Sequence, residues 1–219
     1  MKVNTDGVLL GVLCGPESPR RILDIGAGTG VISLILAQRF PMAEIRAVEI
    51  DESAALTARH NFEQSIFSSR LKLWYSSFQS YFKTRRPDKF DLIISNPPFF
   101  IDSLRSDDQS KRIARHTDQV FFEDLFRECA EHLAPHGKLV LIVPLRISDT
   151  LLRLALTHGL YLHEQINVSS FHDSIPHREI LTFASGFVEA VISNFVIYQK
   201  PKEYSGQYRD ALKDYFTIF

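Results

Sequence analysis

The sequence predicts an α/β fold with a mostly parallel sheet, and three observations predict it. Apolar runs of strand length alternate with stretches of helical period from Arg21 to Gly159. The first of these runs leads straight into a cluster of glycines, where the chain must turn tightly between a strand and a helix. Beyond Gly159 the strands follow one another without helices, which fits an antiparallel edge on an otherwise parallel sheet.

Arg21–Ile25 is the first strand, and Val31–Phe40 reads as a helix stopped by Pro41. Glu44–Ile50 is the second strand. The helix after it, Glu52–Gln64, sets Ala54, Ala58 and Phe62 on one face at i, i+4 spacing. Leu71–Tyr75 and Phe90–Ser95 are the third and fourth strands. A long loop over 101–120 then leads to a helix at Phe121–Leu133, whose apolar residues form a core-facing stripe. Lys138–Val143 is the fifth strand, and Ile147–His158 is a helix ended by Gly159. His163–Val168, Arg178–Ala184 and Asn194–Gln199 are the late strands, and Tyr204–Phe219 reads as a terminal amphipathic helix.

Composition narrows the function classes. The 219 residues carry 25 Lys+Arg against 26 Asp+Glu, a formal net charge of −1, so nucleic acid would be held by a local patch and not by the whole surface. The longest apolar run, Leu139–Leu145, falls short of the roughly 20 residues of a membrane span. Met1–Gly7 has no signal-peptide organisation. Cys14 and Cys129 lie far apart, which excludes a disulfide scaffold or a Cys-rich zinc site and suits a reducing cytoplasm. His60, His132, His136 and His158 stand at no metal-ligand spacing, so no metal is expected. One domain over 1–219 is expected, with no membrane partner.

The chemistry begins at Asp24-Ile25-Gly26-Ala27-Gly28-Thr29-Gly30. Its glycines let a ligand approach the backbone where a side chain would block it. A dinucleotide fingerprint requires G-x-G-x-x-G, and counting from Gly26 the last place falls on Val31. A nicotinamide oxidoreductase is therefore disfavoured. The second strand ends in Val48-Glu49-Ile50-Asp51, which puts the Glu49 carboxylate where both hydroxyls of a ribose can donate to it. A solvated acid or a helix N-cap is the other reading, and Asp51 suits the cap better. S-adenosylmethionine has a ribose and an adenine but no pyrophosphate, so it fits a glycine loop without the dinucleotide spacing. Asp24 would then lie near its positively charged amino end.

The fourth strand ends in Asn96-Pro97-Pro98-Phe99. In open α/β sheets ligands bind beyond the carboxyl ends of the strands. The two prolines stiffen this tip and leave two acceptors, the Asn96 side-chain oxygen and the Pro97 carbonyl. A planar amino group is a poor nucleophile because its lone pair is delocalised. Two acceptors that take its hydrogens pull it towards tetrahedral geometry and stabilise the positive charge that develops on nitrogen. Phe99 is placed to stack on the base, a contact worth about 1–3 kcal/mol. A plain strand-ending turn is the bland alternative.

Together these residues resemble the class I S-adenosyl-L-methionine-dependent methyltransferases of the amino-methylating branch. Asp24–Gly30 is similar to motif I, Glu49 to the ribose acid, and Asn96-Pro97-Pro98-Phe99 to the catalytic NPPY/F motif. The resemblance narrows at Met1-Lys2-Val3-x-Thr5-Asp6-Gly7, at Ala114-Arg115-His116-Thr117 and at Pro176-His177-Arg178, which are similar to segments of the bacterial tRNA1(Val) adenine N6-methyltransferases. It implies a Rossmann-like, mostly parallel seven-stranded sheet with an antiparallel strand near the edge and helices on both faces. It also implies methylation of N6 of adenosine 37 in tRNA1(Val), with S-adenosyl-L-methionine as cofactor and tRNA as partner. Residues 1–15 would form a cofactor-side segment and 200–219 the C-terminal helix.

By the same resemblance, Asn96, Pro97, Pro98 and Phe99 are catalytic. Thr5, Asp6, Asp24, Gly26, Gly28, Gly30, Glu49, Ser77 and Asn96 face the cofactor. Ser77 stands where many relatives place an acid for the adenine amino group. Relatives usually carry a short aromatic and basic segment ahead of the stretch that opens this chain, and part of the substrate or cofactor surface is expected there. The substrate RNA falls to Lys111, Arg112, Arg115, His116, His177 and Arg178, since a flipped adenosine needs a charged track for its backbone. Lys83, Arg85, Arg86 and Lys89 form the densest basic run but precede the fourth strand, on the opposite edge. Other planar nitrogen targets remain open: guanine N2 of rRNA, protein glutamine N5 and DNA adenine N6. A non-catalytic nucleoside-binding protein is the reading from another class.

Overall fold

A computed structural model describes residues 5–15, 18–85, 88–98 and 108–216, leaving aside the side chains of 108–118. The sheet strands are β1 (Arg21–Ile25), β2 (Glu44–Glu49), β3 (Leu71–Tyr75), β4 (Phe90–Ser95), β5 (Leu133–Pro144), β6 (Leu160–Ser169), β7 (Arg178–Ser185) and β8 (Val191–Val196). They form an 8-stranded sheet in the order β3-β2-β1-β4-β5-β7-β6-β8. Strand β7 runs antiparallel to both neighbours, and the other pairings are parallel. The carboxyl ends of β1, β2, β4 and β6 therefore share one edge. A small hairpin, β9 (Tyr198–Lys200) with β10 (Glu203–Tyr204), stands apart from the sheet.

Apolar side chains alternate between the two faces. On β1, Ile22 joins one core with Leu36, Ile45 and Ile94, while Leu23 joins the other with Tyr81, Phe126 and Leu141. The first core is covered by α1 (Thr5–Leu13), α2 (Val31–Arg39), α3 (Glu52–Gln64) and α7 (Gly206–Leu212). The second is covered by α4 (Phe78–Arg85), α5 (Asp108–His132) and α6 (Leu145–Thr157). Local chemistry fixes the ends of these helices. Asp51 caps α3 by accepting from the Ala54 amide at 2.8 Å. Arg70 donates to the carbonyls of Ala37, Phe40 and Ala43 at the end of α2.

The expected α/β class and mostly parallel sheet are present, and the antiparallel strand expected near the edge is β7, with β6 and β8 outside it. Some details differ. Among the described residues the sheet has eight strands, as the apolar runs suggested, and not the seven that the resemblance implied; the eighth is Val191–Val196, earlier than the expected Asn194–Gln199. The segment read as loop up to 120 is helical from Asp108. Its apolar stripe starts only at Phe121, so the polar first turns gave no period to read. The terminal segment is not one helix from Tyr204: that residue lies in β10, and Ser205 caps the shorter α7 by accepting from the Tyr208 amide. Two helices, α1 and α4, had no legible period. Helix α1 buries Gly7 through Gly11 almost all round, and α4 has only 8 residues.

Candidate active site

The turn after β1 is laced to the tip of β2. The amides of Gly26 and Ala27 both donate to the Val48 carbonyl, at 2.9 and 3.1 Å. The Gly28 amide donates to Glu49 Oε2 at 2.7 Å, while Glu49 Oε1 accepts from the Ile50 and Asp51 amides, each at 2.8 Å. Glu49 is thus fixed in one orientation by three backbone donors, and its residue is 7% exposed at the cleft wall. Each carboxylate oxygen has two acceptor sites, so Oε2 keeps one for an incoming donor. The tip of β4 is tied in as well, since Ser95 Oγ donates to the Ile25 carbonyl at 2.8 Å.

These tips enclose an open cleft of about 590 Å³, a size typical of small-molecule sites. Its floor is Gly26, Ala27 and Gly28; Glu49 and Ser77 stand on one side, and Asn96, Pro97 and Pro98 on the other. Gly26 has φ +72, and a Cβ there would meet nothing within 4 Å, so the glycine leaves the backbone open to a ligand. Asp6 and Gly7, at the start of α1, close the end beyond β4. Ser77 Oγ accepts from the Ser80 amide at 3.2 Å, in the first turn of α4.

Three residues assigned to the cofactor stand elsewhere. Asp24 is 0% exposed and does not line the cleft. Its Oδ2 accepts from Ser33 Oγ at 2.7 Å, and its Oδ1 has no hydrogen-bond partner. Burial pushes this carboxyl up to about 7, the Ser33 hydrogen bond opposes the rise, and the Glu49 charge adds to it. Gly30 lies behind the cleft lining, with φ +86, and a Cβ there would come 2.4 Å from the Phe62 ring. Its smallness lets α2 and α3 pack. Thr5 opens α1 and is exposed, one residue short of the lining.

The sequence reading missed the apolar wall. Phe78, at the start of α4, meets Phe121 edge-on at 5.5 Å, and both line the cleft with Ile50. Phe121 was legible as part of a helix stripe, but nothing in its spacing distinguished cleft from core. Ile50 carried a weak signal as an apolar residue directly after the ribose acid.

On the substrate side, Phe99 lies outside the described residues, and Lys111, Arg112, Arg115 and His116 fall in the first turns of α5, of whose side chains nothing is described. His177 and Arg178 follow the loop after β6, which opens on the catalytic edge because β6 is parallel to β4. Burial and the neighbouring Arg178 lower the His177 pKa, and Asp6 partly opposes them. Arg178 Nε donates to Asp6 Oδ2 at 2.8 Å, so a residue assigned to RNA meets one assigned to the cofactor. Among the described residues, Glu128, Glu131 and His132 bring possible metal-ligand atoms within 4.8 Å of one another at the far end of α5. His132 Nδ1 engages the Glu128 carbonyl at 2.8 Å, and the ring stacks on Phe82. No described helix is long and apolar enough to cross a membrane.

Residues 6–154 match the family model described as methyltransferase small domain. A tRNA1(Val) (adenine(37)-N6)-methyltransferase of Pedobacter heparinus is 41% identical over 220 residues, covering 100% of this chain and 92% of the relative. Proteins of the same name from Bacteroides thetaiotaomicron and Pectobacterium carotovorum are 37% and 34% identical, covering 99% and 100% of this chain and 90% and 88% of theirs. Among solved structures, a predicted O-methyltransferase from Agrobacterium tumefaciens superposes with a TM-score of 0.71 at 20% identity, over 95% of this chain and 96% of the other. TrmN from Thermus thermophilus superposes with a TM-score of 0.58 at 20% identity, over 82% and 47%. These two likenesses speak to the fold alone.

Proposed function

The chain belongs to the methyltransferase small domain family, among the tRNA1(Val) (adenine(37)-N6)-methyltransferases, and from that premise we propose how it methylates N6 of adenosine 37 in tRNA1(Val). The observation that carries the reading is that one cleft joins an oriented carboxylate, Glu49, to the stiff tip of β4. The open space over Gly26 and the acceptor left on Glu49 Oε2 fit a nucleoside cofactor. S-adenosyl-L-methionine, when bound, supplies a methyl group carried on a positively charged sulfur. Glu49 Oε2 accepts from one of its ribose hydroxyls, Gly26 and Gly28 admit it against the backbone, and Ile50 and Phe78 shield its adenine from water.

Asn96 and Pro97 do the work on the acceptor. The Asn96 side-chain oxygen and the Pro97 carbonyl take the two hydrogens of the adenine amino group and turn its lone pair out of conjugation. They also stabilise the charge that builds on nitrogen, in a site whose donors and acceptors need no rearrangement. Ser95 holds this tip to β1, so the acceptors keep a fixed place relative to the glycine turn. The methylated nitrogen is acidic enough to release its proton to water, so no strong base is required. Phe99 stacks on the adenine, and Lys111, Arg112, Arg115, His116 and His177 supply the RNA track.

The test is incubation of the protein and S-adenosyl-L-methionine with bulk tRNA from a host lacking the gene, followed by mass analysis of the nucleosides and of the nuclease fragments of purified tRNA1(Val). N6-methyladenosine at position 37 of tRNA1(Val) is expected. With rRNA, protein and DNA offered in parallel reactions, tRNA that gains no N6-methyladenosine while guanine N2 of rRNA, protein glutamine or DNA adenine gains a methyl group overturns the assignment.

A further inference from the structure

Arg178 is 172 residues from Asp6 in sequence, yet its Nε donates to Asp6 Oδ2 at 2.8 Å. The same guanidinium donates from Nη1 to the His177 carbonyl at 3.0 Å, which fixes its plane. Both side chains are partly shielded, at 28% and 25% exposure. Arg178 sits where β7 begins, paired with Pro144 of β5 and Val168 of β6, so its backbone is held by the sheet on both sides. Asp6 lies in the first turn of α1 and lines the cleft. The apolar residues Val8, Leu9 and Leu10 anchor the middle of α1 in the core. The ion pair adds a polar anchor at the end of the helix that meets the cleft.

We propose that Arg178 is a positioning residue for the cofactor, acting through Asp6, and not part of the RNA track. It holds the first turn of α1 against the mouth of the cleft and aims the Asp6 carboxylate. With Oδ2 committed to the guanidinium, Oδ1 is the oxygen left for the cleft. No described hydrogen bond occupies it. Along the sheet the two carboxylates stand at opposite ends: Glu49 at the tip of β2, and Asp6 beyond β4 on a helix that packs on α2 and β5. That separation suits a ligand with a diol at one end and an ammonium at the other. The buried Asp24, with no surface in the cleft, is poorly placed for the ammonium. Because the loop before β7 lies on the substrate edge, the pair also connects the two binding surfaces, and any coupling between them must be reciprocal.

This inference rests on the methyltransferase reading, and its test separates the two. S-adenosyl-L-methionine binding is measured by calorimetry on the wild-type chain, Arg178→Met, Arg178→Lys, Asp6→Asn and the Asp6→Asn/Arg178→Met double variant. In parallel, binding to unmodified tRNA is followed against salt. Arg178→Met is expected to weaken cofactor binding at least fivefold and to raise KM for the cofactor alike, with kcat within about twofold. Arg178→Lys keeps the charge but not the fork, and should recover part of the loss. In the Asp6→Asn background the Met substitution should cost less than twofold more, since the two residues act as one unit. The salt slope of tRNA binding should equal that of the wild type. An unchanged cofactor affinity with a salt slope lowered by about one, the signature of a lost phosphate contact, overturns the proposal. Losses that simply multiply in the double variant overturn it too. If Arg178→Met fails to fold, Arg178→Lys decides: a cofactor affinity equal to wild type counts against the proposal. A wild-type chain that binds no S-adenosyl-L-methionine sinks the functional reading itself.

Discussion

The two halves of the catalytic edge are built differently. At the tips of β1, β2 and β4 the backbone is laced together by the Val48 carbonyl, the Glu49 carboxylate and the Ser95 hydroxyl. Towards β6 the surface is open: Phe171 and Ile175, in the loop after β6, are exposed, and Gln165, Asn167 and Asn194 hydrogen-bond to one another on a half-covered face of β6 and β8. On the proposed function, the contrast matches the sizes of the two ligands. A small cofactor is gripped on several sides, so its site is rigid and concave. A structured RNA meets a broad surface, and only the target base needs a fixed pocket.

The largest effect should come where the two halves meet. Asn96→Ala removes one of the two acceptors, and methyl transfer to tRNA should fall about 10²–10³-fold, the usual cost of losing one preorganised transition-state contact. Calorimetry should find cofactor affinity within about threefold of wild type. Activity that survives within a few-fold would place the catalytic acceptors elsewhere and dissolve the contrast.

The next test concerns the rigidity of the cofactor half. Asp24 has a carboxyl raised from 3.8 to about 7. A raised folded pKa gives stability that is full below about pH 4 and lost as the pH climbs through about 7. Asp24→Asn removes that loss, which is on the order of a few kcal/mol. The variant should therefore melt several degrees above wild type at pH 8, with a smaller gain at pH 5. A gain that grows on acidification has the wrong sign and would mean that the carboxylate is charged and paired in the folded chain.

Gly30 and Gly26 sharpen the comparison within a single turn. Both have positive φ, so alanine at either place costs about 1–2 kcal/mol of backbone strain. Gly30→Ala adds a clash with Phe62 and should lower Tm further, while Gly26→Ala should lose cofactor affinity out of proportion to its Tm. Equal Tm values with equal affinities would erase the distinction between packing and binding glycines. The smallest effect is expected at Asp51, whose replacement by Ala removes the α3 cap and should cost about 1 kcal/mol in denaturant unfolding. Methyl transfer should be unaffected at a temperature where the variant stays folded.

Much of the cofactor half was legible because its signals are local. The glycine spacing, Glu49 at a strand end and the prolines after Asn96 all report on the few residues around them. Glu52–Gln64 could be bounded because its cap and its Ala54-Ala58-Phe62 face lie in one short stretch. What escaped was set by distance or by uniformity. The reason for Gly30 is a ring 32 positions later, and the partner of Asp6 is at Arg178. Helix α1 is buried almost all round and shows no amphipathic period, and the polar opening turns of α5 read as loop. Phe121 belongs to a continuous apolar stripe, and only the fold shows that this end of it faces a cleft.

The Ser95 hydroxyl resting on the Ile25 carbonyl has a thermal consequence. Through it, the strand tip proposed to hold the methyl acceptor and the turn proposed to cradle the methyl donor belong to a single mechanical unit. Heating or denaturant should not strip chemistry away first and leave a protein that still binds. Both capacities are expected to vanish at one temperature, along one melting curve.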